Sequence, residues 1–191
     1  MEDIKTLFER NKALLNGHFL LSSGLHSDAY FQSALILQYP NIAQELGSRL
    51  AALIKDSGIK IETAVSPALG GLIIGQETAK ALGARALFAE RAEGKMTLRR
   101  GFKISEGERI LIVEDVITTG LSTREAIDCV NGFGGNVLAV SCLVDRSQGS
   151  GKALFDIPKF SLLSLEVKTY SPQECPMCKN GSEPIKPGSR K

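Results

Sequence analysis

Apolar positions recur along this chain with two periods, and the alternation between them is the first guide to its architecture. Over residues 3–15, Ile4, Leu7, Phe8, Ala13, Leu14 and Leu15 form a helical stripe that Gly17 ends. Residues 19–30 read as two short extended pieces around a Ser-Gly turn. A helix opens at Pro40 or Asn41 and runs through Ile54, with Ile42, Leu46, Leu50 and Leu53 on one face. Strand patterns follow at 61–65, 84–89, 109–113 and 137–144, with helical patterns at 72–82 and 121–131 between them. Strands alternating with helices predict an α/β domain with a mostly parallel sheet. Right-handed crossovers then gather the loops after Val65, Ala89, Val113 and Val144 at one sheet edge.

The densest chemistry lies at residues 110–122, ILIVEDVITTGLS. The apolar run Ile110, Leu111, Ile112, Val113 ends in two carboxylates, Glu114 and Asp115. Val116 and Ile117 lead to Thr118, Thr119 and Gly120, and Leu121 and Ser122 open the next helix. A buried strand, a polar loop and a helix N-terminus form an anion site, because free backbone N–H groups and the helix dipole point at the loop. Gly120 lets a phosphate approach the backbone closely. The strand's carboxyl end is also where open α/β sheets bind ligands. Acids beside a phosphate loop repel the phosphate unless they face another part of the ligand. A sugar diol, or Mg2+ carried on a pyrophosphate, suits them; phosphate at one end and sugar hydroxyls at the other describe a ribose 5-phosphate. The plainer reading is a βα turn with a capping box, Ser122 standing three residues before Glu125. The whole run in register favours the anion site.

This segment resembles the phosphoribosyl pyrophosphate (PRPP) signature of the type I phosphoribosyltransferases. Two further motifs narrow the resemblance to the orotate phosphoribosyltransferases. Phe19-Leu20-Leu21-Ser22-Ser23-Gly24-Leu25-His26-Ser27-Asp28-Ala29-Tyr30 is similar to their F-x-L-x-S-G-x-x-S-x-x-Y opening, and Asp145-Arg146 follows a strand as an Asp-Arg pair does in them. Motif order and spacing agree over nearly the whole chain. The resemblance implies a type I phosphoribosyltransferase fold: one α/β domain over residues 1–191, with a mostly parallel sheet flanked by helices and a small hood formed mainly by residues 1–35. It implies transfer of ribose 5-phosphate from PRPP to orotate, giving orotidine 5′-monophosphate and diphosphate in pyrimidine (UMP) biosynthesis. It implies Mg2+ that arrives with PRPP rather than in a protein cage, and a homodimer with shared active sites.

The resemblance also assigns roles. Glu114 and Asp115 are expected to hold the ribose hydroxyls and to be catalytic, with Val116 and Ile117 beside them in the PRPP site; Thr118, Thr119, Gly120, Leu121 and Ser122 would hold the 5′-phosphate. Thr118 would also reach the base, and Arg146 would read the orotate carboxylate bidentately, against the plainer alternative of a surface ion pair with Asp145. The basic, glycine-punctuated residues 91–101 read either as a solvated loop or as a mobile lid. As a lid, Arg91 and Lys95 would meet the pyrophosphate and Lys95 would be catalytic, whereas Arg99 and Arg100 fit the family pattern less well. Backbone N–H groups of residues 66–71 could bind the pyrophosphate. Many relatives carry a lysine where this chain has Gly70, and some carry one where it has Ser22.

Composition changes this picture little. With 191 residues, 43% apolar and 23% charged, the chain is long enough for one domain with a core. A formal charge of +2 leaves no nucleic-acid footprint. No apolar run reaches membrane-spanning length, and the start MEDIKTLFER lacks a signal-peptide pattern, so a cytoplasmic protein is expected. Cys129 and Cys142 fall in apolar patterns and are expected to be buried thiols. Cys175 and Cys178 form a lone CxxC; His18 and His26 stand far away in sequence in another motif, so two reduced thiols are expected and no metal within one chain. Two such pairs brought together in a dimer would supply four thiolates. The tail, residues 171–191, is rich in Pro, Gly and Lys and is expected to pack loosely.

Overall fold

In the computed structural model, which describes residues 2–21, 23–147 and 155–186, the first elements are α1 (Ile4–Arg10), β1 (Leu14–Leu20), β2 (His26–Phe31), α2 (Ala34–Leu37) and α3 (Pro40–Asp56). They are followed by β3 (Thr63–Pro67), α4 (Gly71–Leu82), β4 (Arg85–Ala92), β5 (Lys95–Leu98), β6 (Arg109–Ile117) and α5 (Leu121–Gly132). The last are β7 (Asn136–Asp145), β8 (Lys159–Ser164), β9 (Thr169–Tyr170) and α6 (Pro176–Lys179). Ser22 and residues 187–191 of the tail lie outside the described residues. The chain divides into two units, Met1–Ile36 with Glu166–Lys191, and Leu37–Leu165.

The first unit is a sheet of order β1-β2-β9, antiparallel at both pairings. Asp3 caps α1 by accepting a hydrogen bond from Thr6 N at 3.1 Å. The helix ends where Asn11 turns its side-chain amide back onto Leu7 O (2.8 Å) and Lys12 takes a φ of 56°. The helical stripe therefore stops earlier than its apolar positions suggest. Leu14 and Leu15 belong to β1, paired with Phe31 and Tyr30, and Gly17 lies within that strand instead of ending the helix. Leu7, Phe8, Ala13, Leu14, Phe19 and Phe31 are buried, and the rings of Phe8 and Phe31 meet edge-on at 5.0 Å. The C-terminal segment joins this sheet at a few points, while most of residues 171–186 are exposed. β9 adds to β2, Cys175 is fully buried, and Ile185 exchanges backbone hydrogen bonds of 2.8 Å with Leu20 N and His18 O.

The second unit carries the expected α/β architecture: a sheet of order β5-β4-β3-β6-β7-β8, parallel except for the β4–β5 pair. Ile110, Leu111, Ile112 and Val113 are completely buried, as a strand covered on both faces requires. On α3, Leu46, Leu50 and Ile54 face inward and Leu53 is 36% exposed, so the buried face runs through Ile54 and not Leu53. Gly47 lets α3 lie against α4, since a Cβ there would sit 2.6 Å from the Glu77 backbone. Strand order reverses between β3 and β6, which makes their carboxyl ends a topological switch point.

Residues 91–101 differ from the expected loop. β4 continues to Ala92, Glu93 and Gly94 turn the chain with φ of 51° and 80°, and β5 returns antiparallel. Positive φ at both central residues is the geometry a two-residue hairpin needs. Leu98 is buried and Met96 packs against the core of this unit, an alternation that the four surrounding cations obscure in the sequence.

Candidate active site

The carboxylate pair ends β6, which runs on to Ile117 rather than stopping at Val113. Glu114 is buried, and its Oε1 accepts a hydrogen bond from Ser122 Oγ at 2.8 Å. Burial, and secondly the adjacent charge of Asp115, push its pKa up to about 7. Asp115 is half-buried, and its Oδ1 accepts Val116 N–H at 2.8 Å. Thr118 and Thr119 are exposed, and Gly120 takes a φ of 72° just before α5. Gly120, the N-cap of α5, offers no side chain, and Leu121 N–H reaches Thr119 Oγ1 at a long 3.4 Å. The capping box is not formed: Ser122 goes to Glu114, and Glu125 goes to Arg91. A helix start behind a glycine, with only that long contact from a side chain, leaves the anion-binding role open.

The loop after β3 meets this one. Ala68 N–H bonds to Ala89 O at 2.8 Å, the Ala68–Leu69 peptide is cis, and the Leu69 side chain is exposed. A Cβ on Gly70 would lie 2.6 Å from Asp115 Oδ2, and one on Gly71 would lie 2.9 Å from Val113 O. A side chain at position 70 would therefore need the Asp115 carboxylate, the end of a flexible side chain, to shift. Gly75 similarly admits Ser66 Oγ, 1.8 Å from where its Cβ would be. The glycines let α4 start against the ends of β3 and β6.

The predicted cations are distributed unevenly. Arg91 forms a two-pronged ion pair with Glu125 of α5 and donates to Gly94 O at 3.2 Å. Lys95 is exposed at the start of β5. Arg100 pairs with Glu90 at 3.0 Å and lies 5.5 Å over the Phe88 ring, so it braces the hairpin. Arg146 follows β7, and its N–H donates to Ile117 O at 2.8 Å, which brings it to the end of β6. Asp145 is 1% exposed and therefore no surface group. Burial opposes its charge, but Lys159 Nζ at 2.5 Å and Ser147 outweigh burial and hold its pKa below the ordinary carboxylate value. Glu125, Lys159, Ser147 and the close approach of Gly70 to Asp115 were not foreseen. Only Glu125 carried a signal, its place in the capping box, and that pointed elsewhere.

All four cysteines are free, Cys142 buried and Cys129 half-buried. The separation of His18 and His26 from the CxxC needs correcting. In the first unit His18, His26, Cys175 and Cys178 come together, their ligand-type atoms all within 4.8 Å of one another. The antiparallel pairing of β1 with β2 brings the two imidazoles together, and the tail folds onto them.

Residues 33–168 match the phosphoribosyl transferase domain family. The orotate phosphoribosyltransferase of Caldanaerobacter subterraneus subsp. tengcongensis is 50% identical over 190 residues, spanning 100% of this chain and 98% of that protein. That of Carboxydothermus hydrogenoformans is 50% identical over 189 residues, spanning 99% and 98%. Among solved structures, the orotate phosphoribosyltransferase of Aeropyrum pernix superposes with a TM-score of 0.69 at 24% identity, over 85% of this chain and 95% of that one. The adenine phosphoribosyltransferase of Saccharomyces cerevisiae does so with a TM-score of 0.66 at 23% identity, over 83% and 99%. Structural likeness alone spans enzymes named for two different bases and shows the fold; full-length identity of half the residues separates them. The chain belongs to the orotate phosphoribosyltransferase family.

Proposed function

We propose that the chain transfers ribose 5-phosphate from PRPP to N1 of orotate, forming orotidine 5′-monophosphate and releasing diphosphate. The observation that carries this reading is the Glu114–Asp115 pair beside the glycine-led start of α5, in a chain half identical to named orotate phosphoribosyltransferases along its whole length. In this reading the backbone of Thr118 to Ser122 takes the 5′-phosphate, with the helix dipole favouring its charge. Glu114 and Asp115 take the ribose hydroxyls. A carboxylate pair buried enough to raise one pKa to about 7 is poised to accept hydrogen bonds or a cation that relieves its repulsion.

The transition state is oxocarbenium-like, so the chain must stabilise a departing diphosphate and keep water out. Arg91 would leave Glu125 for the diphosphate, and exposed Lys95 would add charge there, serving the neighbouring subunit's site in a homodimer. Arg146, held at the end of β6, would take the orotate carboxylate, and Thr118 the base edge. Mg2+ fits the hard oxygen donors of Glu114 and Asp115; brought in on PRPP, it would neutralise diphosphate charge. A cytoplasmic setting suits substrates that are soluble anions, and among the described residues no helix is long and apolar enough to cross a membrane.

Diphosphate release from PRPP and Mg2+ should be measured with orotate, adenine and uracil in turn. Release with orotate alone is expected. Release with another base instead, or none with orotate, overturns the assignment.

A further inference from the structure

The His–Cys cluster of the first unit takes no part in the transfer just described. We infer that His18 Nε2, His26 Nδ1, Cys175 Sγ and Cys178 Sγ form a structural zinc site that ties the C-terminal segment to the N-terminal β-hairpin. All six edges of the set lie within 4.8 Å, and three of them match a tetrahedron closing on one small ion. Cys175 Sγ and Cys178 Sγ lie 3.5 and 3.7 Å from His18 Nε2, and Cys178 Sγ lies 3.3 Å from His26 Nδ1. Bond lengths of about 2.05 Å to nitrogen and 2.3 Å to sulfur demand ligand–ligand edges of roughly 3.3–3.8 Å. The His18 Nε2–His26 Nδ1 edge is shorter, 2.9 Å, so the two rings must part slightly to close on the ion.

Three other observations agree. The remaining nitrogen of His18, Nδ1, lies 3.1 Å from Ser182 Oγ, the kind of outer partner that fixes the tautomer and aim of a metal-binding imidazole. His18, His26 and Cys175 are 7%, 5% and 0% exposed, a costly burial for two imidazoles unless their polar atoms are used. Binding Zn2+ releases one proton from each thiol to solvent and uses the neutral imidazoles as donors. Two thiolates then balance the ion, and the buried centre carries no net charge. Four protein ligands leave no open position, which marks a structural and not a hydrolytic site. The need for such a tie is visible too. A unit of roughly 60 residues built from the two ends of the chain has a small core, and β9 contributes only Thr169 and Tyr170.

The test uses the full-length chain, purified reduced and without added metal, then given Zn2+ or Co2+. Metal analysis after dialysis should give one zinc per chain. The cobalt form should show visible bands of a tetrahedral ion and a thiolate-to-cobalt band in the near ultraviolet. Cys178→Ser and His26→Ala should each lower zinc affinity at least tenfold and change the cobalt spectrum, while Cys129→Ser, outside the cluster, should change neither. Chelation should lower Tm, and added Zn2+ should restore it, in the wild type but not in Cys178→Ser. Less than half an equivalent of zinc in the wild type overturns the inference. So does a mass two hydrogens lighter, indicating a Cys175–Cys178 disulfide. A cobalt spectrum that His26→Ala leaves intact also overturns it, because four thiolates from two chains would then be the site. If a variant fails to fold, the wild-type stoichiometry and spectrum still decide.

Discussion

The loop after β6 and the His–Cys cluster are built in opposite ways. The loop is a run of consecutive residues, Glu114 to Ser122, on one strand, one turn and one helix start. The cluster draws one residue each from β1 and β2 and two from the segment around α6, which is far from them in the chain. Their internal energetics differ as well. Glu114 and Asp115 repel one another in a partly dry place, so the loop is complete only when a ligand joins it. The cluster's atoms face each other. A site that waits for a reacting ligand should govern rate more than stability; a site that joins distant segments should govern stability more than rate.

The largest effect should come from Asp115→Asn. Loss of one ribose-positioning carboxylate should cut kcat/KM about 100-fold or more. Tm should hold or rise, because a repulsion with Glu114 is removed. Steady-state rates and a thermal melt check both; a fall in Tm at near wild-type turnover would erase the contrast between the two regions.

Lys95→Ala should lower kcat roughly 50-fold with little change in PRPP binding, since diphosphate gains charge as the anomeric bond breaks. Mixing it with Asp115→Asn under subunit exchange should restore activity, up to about half per mixed dimer, because one of its two sites then carries neither defect. Verified exchange with no recovery would show that the lysine works only within its own subunit.

Arg146→Ala should raise KM for orotate roughly 30-fold, and far less for PRPP, the loss of a charge-assisted bidentate contact. An unchanged orotate KM would mean that the carboxylate is read by another group.

The smallest effect concerns pH. Folded Glu114 keeps its proton up to about 7, while in the unfolded chain it ionises near 4.5. Between those values the unfolded state binds fewer protons, so this group's contribution makes stability fall as pH rises from 4.5 to about 7, and then level off. The urea midpoint of the ligand-free chain should drop by under about 1 M more than that of Glu114→Gln across this window. Parallel pH profiles would mean that Glu114 ionises as readily folded as unfolded.

The same contrast explains what the sequence made legible. Consecutive residues carry their own geometry: an apolar run, two acids, a glycine and a helix start can be read as strand, site and cradle before any tertiary contact is known. Period shifts are harder. Leu14 and Leu15 continue a helical stripe on paper, yet the left-handed turn at Lys12 converts them to strand. Met96 and Leu98 alternate as a strand should, but four cations nearby make the stretch read as loop. β8, KFSLLS, is intermediate in burial over most of its length and lacks the alternation that would announce it. The partnership of His18 and His26 depends on pairing register, with Leu20 opposite His26, and no local pattern encodes that. The ion pair of Arg91 with Glu125 likewise joins a hairpin to a helix that only the fold makes neighbours.

Gly70 gives the site a history as well as a shape. The volume its missing side chain leaves is filled by the Asp115 carboxylate, so a side chain at 70 would displace that carboxylate. A side chain installed at 70 would act on the site through that carboxylate, by moving the acid that faces the ligand. Substitutions at the two positions should therefore be non-additive, and their order of acquisition should matter.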